Sequence, residues 1–230
     1  MDALVQTPRA DERPAEDVVR ALEFDILFGR LKPRERLVED ALMARFGAKR
    51  HVVRRALDEL ERMGIVVRAP NRGAAVRDFS AQEVEEIYEL RELLQRRAVE
   101  RMKLPASADL VAALTAVQGR HDAAVAAGDL RAVDQVNDEF HRLFFAACGS
   151  RLLAEAIGHY AHLSRAMRVY PMVDPPTLAR LRDEHWAMIR ALEAGDREAL
   201  ARLVAQHLQP SKAAYLQVRR SMELAEAGAG

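Results

Sequence analysis

His141, His185 and His207 each stand where the surrounding apolar spacing asks for a core residue. Val133, Phe140 and Phe144 mark one inward helical face, and Asn137 and His141 share it. Leu178, Leu181, Met188 and Leu192 mark a second, with His185 in its centre, and Leu200 and Leu203 mark a third, with His207 one turn on. One histidine on an apolar face is usually a satisfied core residue. Three on three helices point to a site built between facing helices, where imidazole is the commonest metal ligand. His51, His121, His159 and His162 lack this combination; His159 and His162 are within reach of a cavity, yet surface or packing roles are expected of them. A different chemistry arises at Arg91, inside the stripe Val84, Ile87, Leu94 and Ala98. A guanidinium there needs an anion, because burying it unpaired is too costly. A glutamate from a neighbouring helix and an anionic ligand both meet that need.

The third candidate is "FGAKRHVVRRALDELERMG", Phe46 to Gly64. Val53, Ala56, Leu57 and Leu60 form its buried stripe, and Lys49, Arg50 and Arg54 point elsewhere. Arg50 and Arg54, one turn apart, share a face. From Arg30 to Arg77 there are 13 Lys/Arg against 6 Asp/Glu, a surplus of +7. The whole chain balances 35 Lys+Arg with 35 Asp+Glu, so the remainder carries −7. A basic segment on a neutral protein suggests a phosphate-binding module joined to something else.

The elements that must position these groups are mostly helical. Residues 17–28, 38–46 and 49–63 read as three helices, with Gly47-Ala48 as the second turn. "IVVR" and "AAV" read as a β-hairpin whose tip, "APNRG", carries Arg72. The spacing predicts a winged helix-turn-helix whose third helix fits the major groove of DNA. From Ser80 onward only helices are expected: 80–102 behind the capping box "SAQE", then 107–127, 130–147, 151–169, a helix capped by Asp174 and ending near Gly195, and a last one from Asp196. The last should kink at Pro210, and the tail "AEAGAG" should fray. The fold class expected is mainly α, with a winged helix-turn-helix over 1–78 and an all-α bundle over 79–230. At 230 residues, half of them hydrophobic, the chain can bury a sizeable core. Cys148 is the single cysteine, and no basic stretch followed by an apolar signal core opens the sequence. No apolar run approaches the roughly 20 residues a membrane helix needs. The expectation is a cytoplasmic protein without a membrane partner.

"ILFGRLKPRERLVEDALMARFGAKRHVVRRALDELERMGIVVRAPNRGAAV", Ile26 to Val76, resembles the winged-helix domain of the GntR family of bacterial transcription regulators. The resemblance implies that Arg36 contacts backbone or base, that Lys49, Arg50 and Arg54 serve the recognition helix, and that Arg72-Gly73 at the wing tip reaches the minor groove. Arg50 is expected to read guanine, with Lys49 and Arg36 gripping phosphate. The sequence departs from the family pattern at Arg34 (usually glycine), Lys49 (serine or threonine), His51-Val52 (thr-pro) and Arg55 (glutamate), which makes the reading head more basic.

"IYELRELLQRRAVE", "NDEFHRLFFAACGS" and "EHWAMIRALEAGDREALARLVAQHL" resemble the ligand-binding FCD domain of the FadR subfamily. The resemblance implies a divalent metal on Asn137, His141, His185 and His207, with asparagine where the family has aspartate. Three nitrogen donors and one oxygen donor suit zinc or nickel. It also implies that Arg91 meets the carboxylate of a small organic-acid effector and that Tyr88 lines the cavity. The function expected is a ligand-responsive DNA-binding regulator, a repressor acting as a homodimer on a palindromic operator. The alternative is a metal-dependent hydrolase or isomerase of small carboxylic acids. Against it, Glu139 and Glu184 are expected to point away from the ligands beside them, and no Ser-His-Asp set or Gly-rich phosphate loop appears.

Overall fold

Val53, Ala56, Leu57 and Leu60 are all buried, so the stripe in the basic segment does face a core. The computed structural model describes residues 15–69, 73–167 and 174–228. It separates into two compact units that divide after Asp78. In the first, α1 (Ala15–Leu27), α2 (Glu39–Phe46) and α3 (Arg50–Arg62) enclose Val18, Leu22, Leu42 and the α3 stripe. Gly47 ends α2 in the left-handed region, φ 59°, which lets the chain turn directly into α3. A three-stranded antiparallel sheet follows the order β1 (Arg36–Leu37), β3 (Gly73–Val76), β2 (Val66–Ala69). The hairpin was expected and β1 was not. Arg36 pairs with Ala75, a contact between residues far apart in sequence that no local pattern announces. Arg34, at the position where the resemblance leads one to expect glycine, adopts φ 68°. Its Nε donates to the Asp78 carboxylate at 2.6 Å.

In the second unit α4 (Ala81–Arg101), α5 (Ala108–Ala126), α6 (Leu130–Ala146), α7 (Arg151–Leu163), α8 (Pro175–Ala194) and α9 (Arg197–Gly228) form a bundle. Side-chain caps fix where helices start. Ser80 Oγ accepts from the Glu83 amide while Glu83 accepts from the Ser80 amide, and Asp174 accepts from the Thr177 amide ahead of Pro175. Phe140, Phe144, Met188, Leu192 and Leu200 belong to one buried cluster, and Phe79, Val84, Tyr88, Met167 and Tyr215 to another. Two boundaries differ from expectation. α7 stops at Leu163 and gives way to a 3-10 turn at Arg165–Met167. α9 passes through Pro210 and is still helical at Gly228, so "AEAGAG" is not wholly frayed. No helix among the described residues is long and apolar enough to cross a membrane.

Candidate functional site

The bundle brings the three predicted histidines together. His141 comes from α6, His185 from α8 and His207 from α9. Nε2 of His185 lies 3.3 Å from Nε2 of His141 and 3.1 Å from Nε2 of His207. The partners of the other ring nitrogens decide what these contacts are. Nδ1 of His185 faces Gln118 Oε1 at 2.9 Å, while Gln118 Nε2 donates to Asp122 Oδ1 at 3.0 Å and so turns the carbonyl toward the histidine. A carbonyl only accepts, so Nδ1 of His185 carries the proton. Nδ1 of His207 faces the Glu184 carboxylate at 2.7 Å, another acceptor, and is also protonated. A neutral imidazole has one N–H, so both Nε2 atoms present lone pairs to each other.

Two lone pairs at that separation repel unless a cation stands between them. Nitrogens about 2.0–2.1 Å from a tetrahedral zinc ion are themselves roughly 3.3 Å apart, close to the spacing found. The donor set therefore fits a divalent metal. An imidazolium at His207 would place one proton between His207 and His185 and leave the His141 contact to be served separately. Burial holds His185 well below the usual histidine range, and the neighbouring rings of His207, His141 and His121 add to the effect. Neutral imidazole is the form a metal binds.

Asn137 lines the same small space, about 50 Å³, with the three histidines and Arg91. His121 lines it too, although the sequence pattern did not single it out. It is buried, 5.4 Å from His185 ring to ring, and burial lowers its pKa to about 4. Gln118, Asp122 and Glu184 were not foreseen as part of the site. Glu184 does point away from His185, as successive helical residues must, and that direction leads to His207 on α9. Glu139 turns outward and accepts from Arg120 at 2.6 Å.

Arg91 is 7% exposed, with its guanidinium carbon 5.1 Å from the centroid of the Tyr88 ring. Arg91 and His141 also line a second, larger chamber of about 650 Å³ between α4, α6 and α7. Tyr88 lines neither space, contrary to expectation. Its hydroxyl is committed to Ser211 Oγ at 2.8 Å, which holds the ring in the core beneath Arg91.

In the first unit Lys49, Arg50, His51, Arg54 and Arg55 are exposed along α3. Arg50 pairs with Asp40 at 2.7 Å and Arg54 with Glu39 at 3.0 Å, both acids lying on α2. Arg36 is exposed on β1, and Gly73 opens β3 at φ 74°. Arg72 lies outside the described residues. Arg68 on β2, not anticipated, pairs with Asp58 at 2.7 Å.

Two family models match the chain: "Bacterial regulatory proteins, gntR family" over residues 14–76 and "FCD domain" over residues 86–210. Among curated relatives, the uncharacterized HTH-type transcriptional regulator YdhC of Bacillus subtilis (strain 168) is 25% identical over 79% of this chain and 82% of its own. The HTH-type transcriptional repressor RspR of Escherichia coli (strain K12) is 24% identical over 89% and 90%. Among solved structures, E. coli McbR/YncC superposes with a TM-score of 0.70 at 23% identity, over 89% of this chain and 98% of that one, and shares the fold. The families and named relatives are regulators, which disfavours the hydrolase or isomerase alternative.

Proposed function

Because this chain belongs to the GntR family of bacterial regulatory proteins and carries an FCD domain, we propose that it is a homodimeric, DNA-binding repressor released by a carboxylate effector beside a divalent metal. His141, His185 and His207 would hold the ion, with Asn137 offering its carbonyl oxygen. Zinc or nickel suits three imidazoles better than calcium or magnesium does. When bound, the ion supplies a Lewis-acidic anchor for an anionic group. Arg91 supplies a second anchor at the same wall, as a planar donor that matches a carboxylate. In the other unit α3 enters the major groove, with Arg50 and Arg54 toward base edges and Lys49 and Arg36 on phosphate. Arg72-Gly73 serves the minor groove. One such unit reads a half-site, so a palindromic operator calls for two copies. The name of the E. coli relative RspR, a repressor, supports the sign of regulation.

The observation that carries this reading is the convergence of Nε2 atoms whose opposite nitrogens already donate to Gln118 and Glu184. The test uses DNA selected from a random palindromic library with zinc-loaded full-length protein. Anisotropy should show sequence-specific binding that a carboxylate relieves, and Arg91→Leu should bind DNA normally while losing that relief. Absence of any sequence preference would remove the regulator reading. Relief that survives in Arg91→Leu would remove Arg91 from the effector site.

A further inference from the structure

The space around the three histidines measures about 50 Å³ and the adjoining chamber about 650 Å³. One water molecule's share of the liquid is about 30 Å³. The smaller space therefore holds an ion and little more, and an organic ligand that reaches it must keep its body elsewhere. The chamber is the available place, since Arg91 and His141 form a wall common to both. Its size falls within the roughly 300–1,000 Å³ of pockets for drug-sized ligands. A two- or three-carbon acid would leave most of it unfilled.

The chamber's walls decide the chemistry of that body. Phe145 and Ile157 present apolar surface, and Ala154, Gly158 and Ala161 keep the α7 side open. Asp138 lies 3.7 Å from Arg165, and Arg151 pairs with Glu155 at 2.6 Å on the exposed rim. Arg142 lines the chamber and is exposed. Arg91 is the buried cation. Ligand hydroxyls against the apolar wall would lose water without gaining partners, whereas hydrocarbon gains from leaving water.

We infer that the effector is an amphipathic monocarboxylate whose carboxylate sits at the Arg91–His141 wall and whose apolar body fills the chamber against α7. This rests on the carboxylate-effector reading above and replaces a small polar acid by a larger, mostly hydrocarbon one. The residues that set the length limit are then Ala154, Ile157, Gly158 and Ala161.

The test titrates zinc-loaded full-length protein with straight-chain monocarboxylates from acetate to decanoate, and with dicarboxylates of matched length. Calorimetry and Trp186 fluorescence report binding. Each added methylene should lower Kd about fourfold until the chamber is full. The matched dicarboxylates should bind at least about tenfold more weakly, because a second charge placed against Phe145 and Ile157 gives up water without gaining a partner. Gly158→Leu and, one turn earlier, Ala154→Leu place bulk in the chamber. A Cβ at Gly158 meets nothing within 4 Å, so the first carbon of a side chain has room there. Both variants should keep zinc and acetate binding and lose the gain with chain length. Short acids binding with no length dependence, or dicarboxylates binding as tightly as monocarboxylates, would overturn this inference and leave the carboxylate reading standing. If no acid of any length binds, both fall together.

Discussion

The polar groups of the two units live under different rules. In the winged helix-turn-helix, Arg50 and Asp40 pair at 2.7 Å with side chains 53% and 75% exposed. In the bundle, His185 and Gln118 pair at 2.9 Å with exposures of 1% and 0%. Water screens the first pair and can replace either member, so its net worth is small. Nothing replaces a partner in the second, and a mismatch there costs the desolvation of a buried group. A surface that must exchange its partners for DNA phosphates benefits from weak pairs. A site proposed to hold an ion and a ligand benefits from strict ones. Substitutions should therefore have large effects in the bundle and graded ones in the reading head.

The largest effect is expected at His185, whose two ring nitrogens serve Gln118 and the cluster. His185→Ala removes one of three nitrogen donors and should cost more than the 10–100-fold that loss of an outer partner typically costs. Zinc competition with a chromophoric chelator reads this directly, beside circular dichroism to confirm that the helices persist. Metal affinity equal to the parent would mean that the three rings only pack. Glu184→Gln comes next, at about 10–100-fold weaker zinc binding. The amide can still accept from His207 Nδ1 but brings no charge. With Asn137 neutral, Glu184 is the carboxylate bonded to one of the proposed ligands and would compensate the ion, so Asn137→Asp should restore much of the loss. An unchanged affinity in Glu184→Gln would reduce that contact to a surface ion pair.

Much of this contrast was legible in the sequence, and the limits have physical causes. Helix starts were readable because caps are local: Ser80 with Glu83, and Asp174 with Pro175, sit three residues or fewer apart. The histidines were readable because each interrupts a 3.6-residue apolar period on its own helix. Gln118 and Asp122 were not, because what recruits them is the packing of α5 beside α8, a relation between residues 67 apart for Gln118 and His185. His121 was passed over for the same reason. β1 escaped because two residues carry no period, and its only evidence is pairing with β3. Tyr88 sits on the right helix face, but the Ser211 hydroxyl that claims it lies 123 residues away. The end of α7 shows a different limit, since nothing local marks Leu163 as the last residue before the 3-10 turn.

In the reading head the expected sizes fall. Arg50→Ala should weaken specific binding by about 1–3 kcal/mol, the worth of a bidentate base contact. The fold should tolerate the change, because Arg50 lies off the Val53–Leu60 stripe and its pair with Asp40 is exposed. Anisotropy against the selected operator and a scrambled duplex separates the two roles open to this residue. A loss confined to the operator assigns base reading. An equal loss on both assigns phosphate contact, and no loss would misplace α3 altogether.

The smallest effect, and the sharpest test of the contrast, belongs to Asp40. Its carboxylate holds Arg50 and presents a negative charge on the face proposed to meet DNA. Phosphate must displace it, and an exposed pair of this kind is worth about 0.2–1 kcal/mol. Asp40→Asn should therefore bind DNA of any sequence roughly 1.5- to 5-fold more tightly at low salt. Specificity should fall slightly, because the gain is electrostatic and reaches operator and scrambled duplex alike. The advantage should shrink as salt rises, since screening weakens the carboxylate's competition together with its repulsion of phosphate. Folding stability should move by no more than about 0.5 kcal/mol, as for other exposed substitutions. A salt series of anisotropy titrations, with chemical denaturation alongside, measures all three. If Asp40→Asn binds DNA more weakly than the parent, the acid positions Arg50 and does not compete for it. The reading head would then obey the same strict pairing as the bundle.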